Sequence, residues 1–442
     1  MMIWITAYCL LSLIPFIKGK YSWEHYIWVL LPIQFFGFSI GGVTIKPYML
    51  FTIIIILTEL NNISLDHKTI IGLVCYAGFQ IIIDLLNDSD KQSYFIQGLV
   101  IIVFLCALVY CSIIWQKQDG INEMFEAIID AGFAYCIICS MAVLFHYANY
   151  RVPYLYASSR NSSGLFVYYS NMMDGELKST YRLRGFTGDP NLLSISMIIP
   201  CVIAYYMRLK DIRNKTRINN VKFFLHIILS LLCIVYSDSR TGIISFLIGF
   251  IMVYMFLGDK KNRKKFMVLL IGGISFLVIM KYGFVDIILN HERSSFFSST
   301  GRVSIWKDAL DILFSNNFFV GIGTARMASN DYLGVYCHNT WLEWICSDGI
   351  ILGNLITLFF CLFGFFQLGK STTDRDRIIT MIICYYCCFI SLISVDDLAN
   401  AHLIYTMCLL ATCNNDTMTN YVQTTRKNKY ECSARKSKYI IR

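Results

Sequence analysis

The sequence has few charged residues for its length. Of its 442 residues, 15% are Asp, Glu, Lys or Arg, whereas a soluble chain of this size normally carries about 25%. The hydrophobic fraction is 56% and the mean hydropathy is +0.55. This composition excludes one large soluble enzyme, a disordered chain and a secreted disulfide scaffold. The sequence also has no nucleic-acid-binding motif, no Gly-rich phosphate loop and no visible internal repeat, and an inverted repeat would favour a transporter.

The polar segments contain almost no cysteine. Most of the 17 cysteines lie inside apolar runs, and two CxxC spacings, Cys136/Cys139 and Cys384/Cys387, fall within predicted helices with no histidine nearby. Buried cysteine behaves as a small hydrophobic residue, so we expect neither a zinc site nor structural disulfides. We therefore expect no metal and no cofactor.

Apolar runs near 20 residues recur along the whole chain, and each can cross about 30 Å of hydrocarbon. The sequence predicts an all-α, polytopic integral membrane protein with about 12 to 13 transmembrane helices in one domain, residues 1–413. An alternative for residues 26–60 is a hairpin that does not fully cross. The predicted spans are 2–17, 26–41, 47–60, 69–86, 93–115, 122–148, 190–208, 222–237, 241–257, 266–284, 339–368, 378–394 and 400–413.

The distribution of Lys and Arg indicates the orientation. Basic clusters follow residues 208, 257 and 368 and fill the tail, 414–442. With alternating spans, all four fall on one face, which the positive-inside rule assigns to the cytoplasm. Two long external loops follow, roughly 149–189 and 285–338, while the orientation of the N-terminus stays open.

The first external loop carries several arginines and ends in Arg182-Leu-Arg-Gly-Phe-Thr-Gly-Asp-Pro-Asn191, directly before a predicted helix. Pro190 suits the first turn of a helix, and Asp189 can cap it. A helix N-terminus attracts anions, and Arg182 and Arg184 could add bidentate contacts to phosphate oxygens. An anionic ligand is one interpretation, and the other is that long loops cross the membrane whatever their charge.

Two further external features carry polar residues. Arg240 lies in a tight turn between two apolar helices, where an arginine can bind an anion or simply extend to the membrane interface. The second loop contains a predicted amphipathic surface helix that begins at Gly301-Arg302, with Trp306 as an interface anchor. This loop closes in His338-Asn339 at the start of a span. Histidine is the usual general base at neutral pH, and the alternative is a polar cap or a packed residue.

These three motifs resemble those of the bacterial O-antigen ligase and O-antigen polymerase superfamily, which includes related capsule polymerases. The resemblance covers roughly residues 180–370. The matching patterns are R-x-x-G-x-x-x-x-P-N (Arg182 to Asn191), Ser239-Arg240-Thr241-Gly242, and G-R-x3-W (Gly301 to Trp306) followed by H-N-x9-G (His338, Asn339 and Gly349).

The resemblance implies a GT-C-like fold and a metal-independent glycosyltransferase in the bacterial inner membrane. Its donor would be an oligosaccharide on undecaprenyl diphosphate, presented at the outer face. Arg182 and Arg240 would bind the diphosphate leaving group, and His338 would deprotonate the acceptor hydroxyl, which attacks with inversion. Further residues implied in binding the diphosphate or the glycan are Arg184, Asn191, Arg302 and Asn339.

The acceptor distinguishes two members of this class. A polymerase accepts another lipid-linked repeat unit, whereas a ligase accepts lipid A–core. We favour a polymerase because polymerases are the more numerous and divergent group. A flippase for the same lipid-linked sugar is an alternative of a different class, but its cations should lie inside the spans. Expected partners are the lipid-linked oligosaccharide, membrane lipids, a chain-length regulator and a flippase, and no nucleic acid.

Overall fold

A computed structural model of the chain describes most of residues 1–257, 302–368, 375–393 and 400–412. Within these ranges it leaves out 35, 41–42, 61–62, 64–66, 88–90, 118, 151, 158–162, 174–175, 215–219, 316–317, 325 and 329–330. The predicted span 266–284 and the basic tail 414–442 lie outside the described residues.

The described part of the chain is almost entirely helical, which confirms the predicted all-α class. In chain order its α-helices are α1 (Met2–Ile17), α2 (Ile27–Leu30), α3 (Pro47–Glu59), α4 (His67–Leu86), α5 (Lys91–Ile114), α6 (Gly120–Tyr147), α7 (Pro190–Asn214), α8 (Asn220–Tyr236), α9 (Arg240–Leu257), α10 (Arg302–Ser315), α11 (Thr340–Leu368), α12 (Arg375–Leu392) and α13 (Ala401–Thr412).

Among the described residues, five helices are long and apolar enough to cross a membrane: α5, α6, α7, α9 and α11. Apolar segments of 10–17 residues in α1, α3, α4, α8 and α13 accompany them. The protein is therefore an all-α, multi-pass membrane protein. The total of about 12 to 13 spans stays a prediction.

The predicted span at 26–41 is wrong. The chain there forms short helical pieces, Trp23–Tyr26, α2 and Leu31–Ile33, and then an antiparallel pair of three-residue strands, β1 (Phe38–Ile40) and β2 (Val43–Ile45). Pro32 is one physical reason, because proline removes a helical hydrogen bond. The structure of this region agrees better with the alternative prediction, a segment that does not fully cross the membrane.

The first external loop contains a β-hairpin that the spans did not predict. Strands β3 (Phe166–Met173) and β4 (Glu176–Leu183) pair antiparallel, with Phe166 opposite Leu183 and Val167 opposite Arg182. The sequence Asp174-Gly175 between the strands is a strong hairpin signal and could have revealed it. The hairpin delivers Arg182 to the bundle on an element of fixed register.

Helix α7 occupies the centre of the bundle and contacts α6, α8, α9 and α12. Its apolar window is 78% buried, against 33% for α9 and 22% for α11. A helix that is apolar on all sides is normally buried, whereas exposed apolar faces of spans suit contact with lipid. The first turn of α7 is therefore held firmly, and this turn belongs to the first motif.

Candidate functional site

The side chain of Arg182 joins the first motif to the second. Its Nε donates to the carbonyl oxygen of Ser237 at 2.9 Å, and its Nη2 donates to that of Asp238 at 3.1 Å. The Asp238 carboxylate lies 3.9 Å from the same Nε. Asp238 has φ +51°, a strained conformation for a residue with a side chain. The guanidinium thus stabilises the turn from which α9 begins at Arg240.

Asn191 ties the start of α7 to this same turn. Its amide N–H donates to Asp189 Oδ1 at 2.7 Å, so Asp189 caps α7 as the sequence predicts. Its side-chain oxygen accepts a hydrogen bond of 2.8 Å from Ser239 Oγ, which also accepts one from the N–H of Gly242. Gly242 has to be glycine, since a Cβ there would lie 2.3 Å from Ser194 Oγ of α7. Motifs distant in sequence thus form one packed unit.

Arg184 is enclosed more deeply than Arg182. Only 1% of Arg184 is exposed. Its Nε donates to the carbonyl of Gly164 at 3.1 Å and its Nη1 to that of Gly188 at 3.5 Å. Such contacts hold the loop together. Arg182, next to the Arg240 turn, is the better placed of the two to affect a ligand there.

The backbone of Cys337, directly before His338, is held at both its N–H and its carbonyl. Its N–H donates to Glu343 Oε2 at 3.1 Å, and its carbonyl accepts the indole N–H of Trp306 at 2.9 Å. His338 itself has φ +51°. Asn339 caps α11 by accepting the N–H of Leu342 at 3.3 Å. The local contacts therefore fix the unusual backbone conformation of the histidine, as is common at functional sites.

Trp306 consequently has a role that its sequence pattern did not predict. It was expected to anchor a surface helix at the membrane interface, but its indole hydrogen-bonds to the histidine loop. Helix α10 does lie against the start of α11, through buried Ala309 and Leu313. Arg302 is the first residue of α10, and Trp306 of the same helix supports the His338 loop from one side.

The Cys337 thiol lies directly before His338 and is a poor candidate for a nucleophile. A hydrogen bond with Cys346, burial and the nearby Glu343 raise its pKa. The thiol is therefore protonated near neutral pH, and a protonated thiol reacts poorly. His338 is the base that the sequence predicts for this loop.

Helix α11 is kinked at Gly349. This residue has φ +80° and ψ +165°, which only glycine adopts readily. A Cβ at Gly349 would lie 2.0 Å from the carbonyl oxygen of Phe319. The preceding loop pairs with the bend through Ile322, whose N–H donates to Cys346 at 2.8 Å, and Ile350, whose N–H donates to Phe318 at 2.9 Å. The third motif is thus a loop and a bent helix that depend on one another.

Helix α12 links the loop at residues 337–339, which we call the histidine loop, to the turn at residues 237–239 before Arg240, which we call the arginine turn. Thr340 donates from its N–H to Ile393 at 3.0 Å and from its hydroxyl to Leu392 at 2.7 Å, at the end of α12. Further along α12, Cys387 Sγ donates to the carbonyl of Ser245 in α9 at 3.5 Å. The end of α12 and the start of α9 each lie about 8 Å along the helix from this contact.

The direction of these two helices follows from charge. The basic cluster after residue 368 precedes α12, and the cluster after 257 follows α9, so the positive-inside rule predicts that the helices are antiparallel. We therefore expect the start of α9, with Arg240, and the end of α12, with the His338 loop against it, to lie at one end of the bundle. We call this the predicted external end. In the described part of the chain, no cluster of three or more His, Cys, Asp or Glu residues could hold a metal ion.

The fold and the site define a class: an all-α, multi-pass membrane protein with joined arginine motifs and a strained histidine at the entrance of a bent helix. Residues 225–358 match the model of a family described as O-antigen ligase. This match confirms the resemblance to the O-antigen ligase and polymerase superfamily, a family of enzymes, over the segment that contains Arg240 and His338. The segment is less than half of the chain. A comparison with curated proteins gives no match.

Proposed function

We propose that the protein polymerises undecaprenyl-diphosphate-linked oligosaccharide repeat units into O-antigen or capsular polysaccharide. It acts at the outer face of the bacterial inner membrane and needs no metal. The observation that carries this proposal is the contact of Arg182 with the turn that precedes Arg240. The charge distribution predicts that His338 lies at the same end of the bundle. Glycosyl transfer from a diphosphate requires cationic donors for the leaving group and a base for the acceptor hydroxyl.

The chemistry is a single displacement. The acceptor hydroxyl loses its proton to the His338 imidazole while its oxygen forms a bond to the anomeric carbon of the donor sugar. The bond from that carbon to the phosphate oxygen breaks, and undecaprenyl diphosphate leaves with the electron pair. Arg240, on a turn held by Arg182, stabilises the negative charge that develops on the leaving group. Attack from the opposite face inverts the anomeric configuration.

A cavity in the apolar part of the bundle supports a lipid-borne donor. It measures about 520 Å³ and lies between α4, α5, α11 and α13. Its lining includes Leu73, Phe104, Phe359 and Met407, and it is almost wholly apolar. An isoprenoid chain is flexible and apolar, so it suits such a lining. Its transfer from the surrounding lipid into the cavity should cost little free energy.

Deletion of the gene tests the proposal. A strain that lacks it should display lipopolysaccharide or capsule with a single repeat unit, visible as loss of the ladder on a gel. The wild-type gene should restore the ladder, and His338→Ala should not. Normal long chains in the deletion strain would rule out a polymerase.

A ligase that transfers lipid-linked glycan to lipid A–core is the second candidate. One observation favours it: the family model that matches residues 225–358 is described as O-antigen ligase. The same deletion strain distinguishes the two, because loss of a ligase leaves long polymer on the carrier lipid and none on the core.

A further inference from the structure

A continuous strip of aromatic side chains lies at the predicted external end of the bundle. Tyr236 at the end of α8 donates a short hydrogen bond to Tyr147 at the end of α6, and their rings are 5.4 Å apart. The neighbouring His146 stacks on Phe166 of β3, with ring centroids 4.8 Å apart. The strip thus begins on two helix ends and reaches the hairpin.

The strip continues along the hairpin. Tyr156 lies 4.8 Å from Tyr181, and Tyr181 lies 5.2 Å from Tyr168, again between ring centroids. Tyr156 is also joined to the rest of the strip through its hydroxyl, 2.7 Å from His146 Nδ1. We call this set, Tyr236, Tyr147, His146, Tyr156, Tyr181 and Tyr168, the tyrosine strip.

The rings are not hidden in a core. Tyr147 is 59% exposed, Tyr168 44%, Tyr181 39% and Tyr156 38%. A contiguous exposed patch of this kind usually marks a binding surface. None of its members is Asp, Glu, Lys or Arg, so its chemistry suits a neutral ligand with both C–H faces and hydroxyl groups.

The strip starts beside the candidate site. Tyr236 directly precedes Ser237, whose carbonyl binds Arg182. On strand β4, Tyr181 and Arg182 are consecutive and therefore face opposite sides of the hairpin. The strip accordingly leads away from the arginine turn and onto the far face of the hairpin. A glycan chain attached to a diphosphate at that turn would follow the same path.

We infer that the tyrosine strip binds the oligosaccharide part of the substrate, with pyranose rings stacked on the tyrosine faces and sugar hydroxyls hydrogen-bonded to the phenols. This inference rests on the proposed function, since it takes the glycan to be the group that extends from the candidate site. Sugar rings present axial C–H groups on one face, and these pack on aromatic rings much as other apolar groups do. An aromatic belt at the membrane interface is the competing explanation of exposed tyrosines.

The test measures binding of short oligosaccharides released from the surface polysaccharide of the cells that carry the gene. They are labelled with a fluorophore and titrated against the purified full-length protein in detergent. Tyr168 is the best position to change, because its only ring contact in the strip is with Tyr181. Tyr168→Ala should weaken binding about 3- to 10-fold, and Tyr168→Phe should lose less than Tyr168→Ala because it keeps the ring and removes only the phenolic hydroxyl.

Tyr150→Ala is the matched control. Tyr150 is 65% exposed near the same end of α6, but its ring contacts Phe145 and lies outside the strip. Its loss should leave binding unchanged. Equal binding by Tyr168→Ala and wild type would overturn the inference, and so would an equal loss in Tyr150→Ala, which would indicate an interfacial belt.

A second measurement needs no variant. Hydroxyl-radical footprinting of the wild-type protein should show protection of Tyr156, Tyr168 and Tyr181 by the oligosaccharide, with Tyr150 unprotected. Unchanged reactivity at all four would also overturn the inference. A failure of the strip differs from a failure of the proposed function, because in the first case His338→Ala still abolishes the polymer ladder, and in the second it does not.

Discussion

Replacement of Arg182 is the most direct test of the reasoning about the site. The side chain is 12% exposed and makes two charge-assisted hydrogen bonds, to the carbonyls of Ser237 and Asp238. Bonds of this type contribute about 1.5–3 kcal/mol each. Arg182→Ala removes both and leaves two carbonyls without these donors, so the turn should lose roughly 3 kcal/mol or more.

A loss of this size lowers the population of the competent turn by about 100-fold, because 1.4 kcal/mol corresponds to a factor of ten. Arg182→Lys should retain part of the effect. A lysine ammonium can reach one carbonyl but cannot form the planar fork, so we expect roughly a tenfold loss. The assay is chain elongation in membrane vesicles from a deletion strain that carries each variant, with the protein level checked by immunoblot.

The matched control is Arg208→Ala, which removes an arginine from the other end of α7. It should elongate chains at the wild-type rate. Wild-type elongation by Arg182→Ala, at a normal protein level, would refute the proposed role of the arginine turn. If Arg182→Ala is lost from the membrane, the effect is on folding and Arg182→Lys becomes the test. Wild-type elongation by Arg182→Lys would contradict the need for the planar guanidinium fork.

Three further changes probe the histidine loop. Trp306→Phe removes one hydrogen bond to the peptide before His338, which contributes about 1 kcal/mol of stability. It should lower the elongation rate several-fold and leave the KM for lipid-linked substrate unchanged. An unchanged rate would argue against support of the loop by Trp306. His338→Asn should abolish elongation but unfold near the wild-type temperature, because asparagine tolerates positive φ, and activity of this variant would exclude the base. Gly349→Ala should destabilise the detergent-solubilised protein strongly, since its Cβ would lie 2.0 Å from a backbone oxygen. Gly72→Ala should not, because a Cβ there would have nothing within 4 Å. Equal melting temperatures of the two variants would contradict the bend at Gly349.

The class of the protein could be predicted from the sequence because a membrane imposes strong, local constraints. A run of apolar residues long enough to cross hydrocarbon has few alternatives to a helix. The bounds of α6, α9 and α12 accordingly lie within a few residues of the predicted spans. The prediction for 26–41 was wrong because apolar composition alone does not distinguish a spanning helix from short pieces interrupted by proline and glycine.

The motifs indicated which residues belong to the site, but not what each side chain contacts. Arg182 and Arg184 are two residues apart and equivalent by composition. Only the packing shows that Arg184 is enclosed by backbone carbonyls while Arg182 binds the turn of another helix. Their roles in substrate binding stay predictions, as does that of His338.

Sequence by itself determined the all-α membrane architecture, the Asp189 cap of α7 and the family resemblance, because hydropathy, capping and short motifs depend on residues close together in the chain. Tertiary structure alone decided that Arg182 fixes the turn before Arg240, that Trp306 and Glu343 hold the peptide before His338, and that α11 bends at Gly349. Those features depend on contacts between segments far apart in sequence, and such contacts form only when the helices pack.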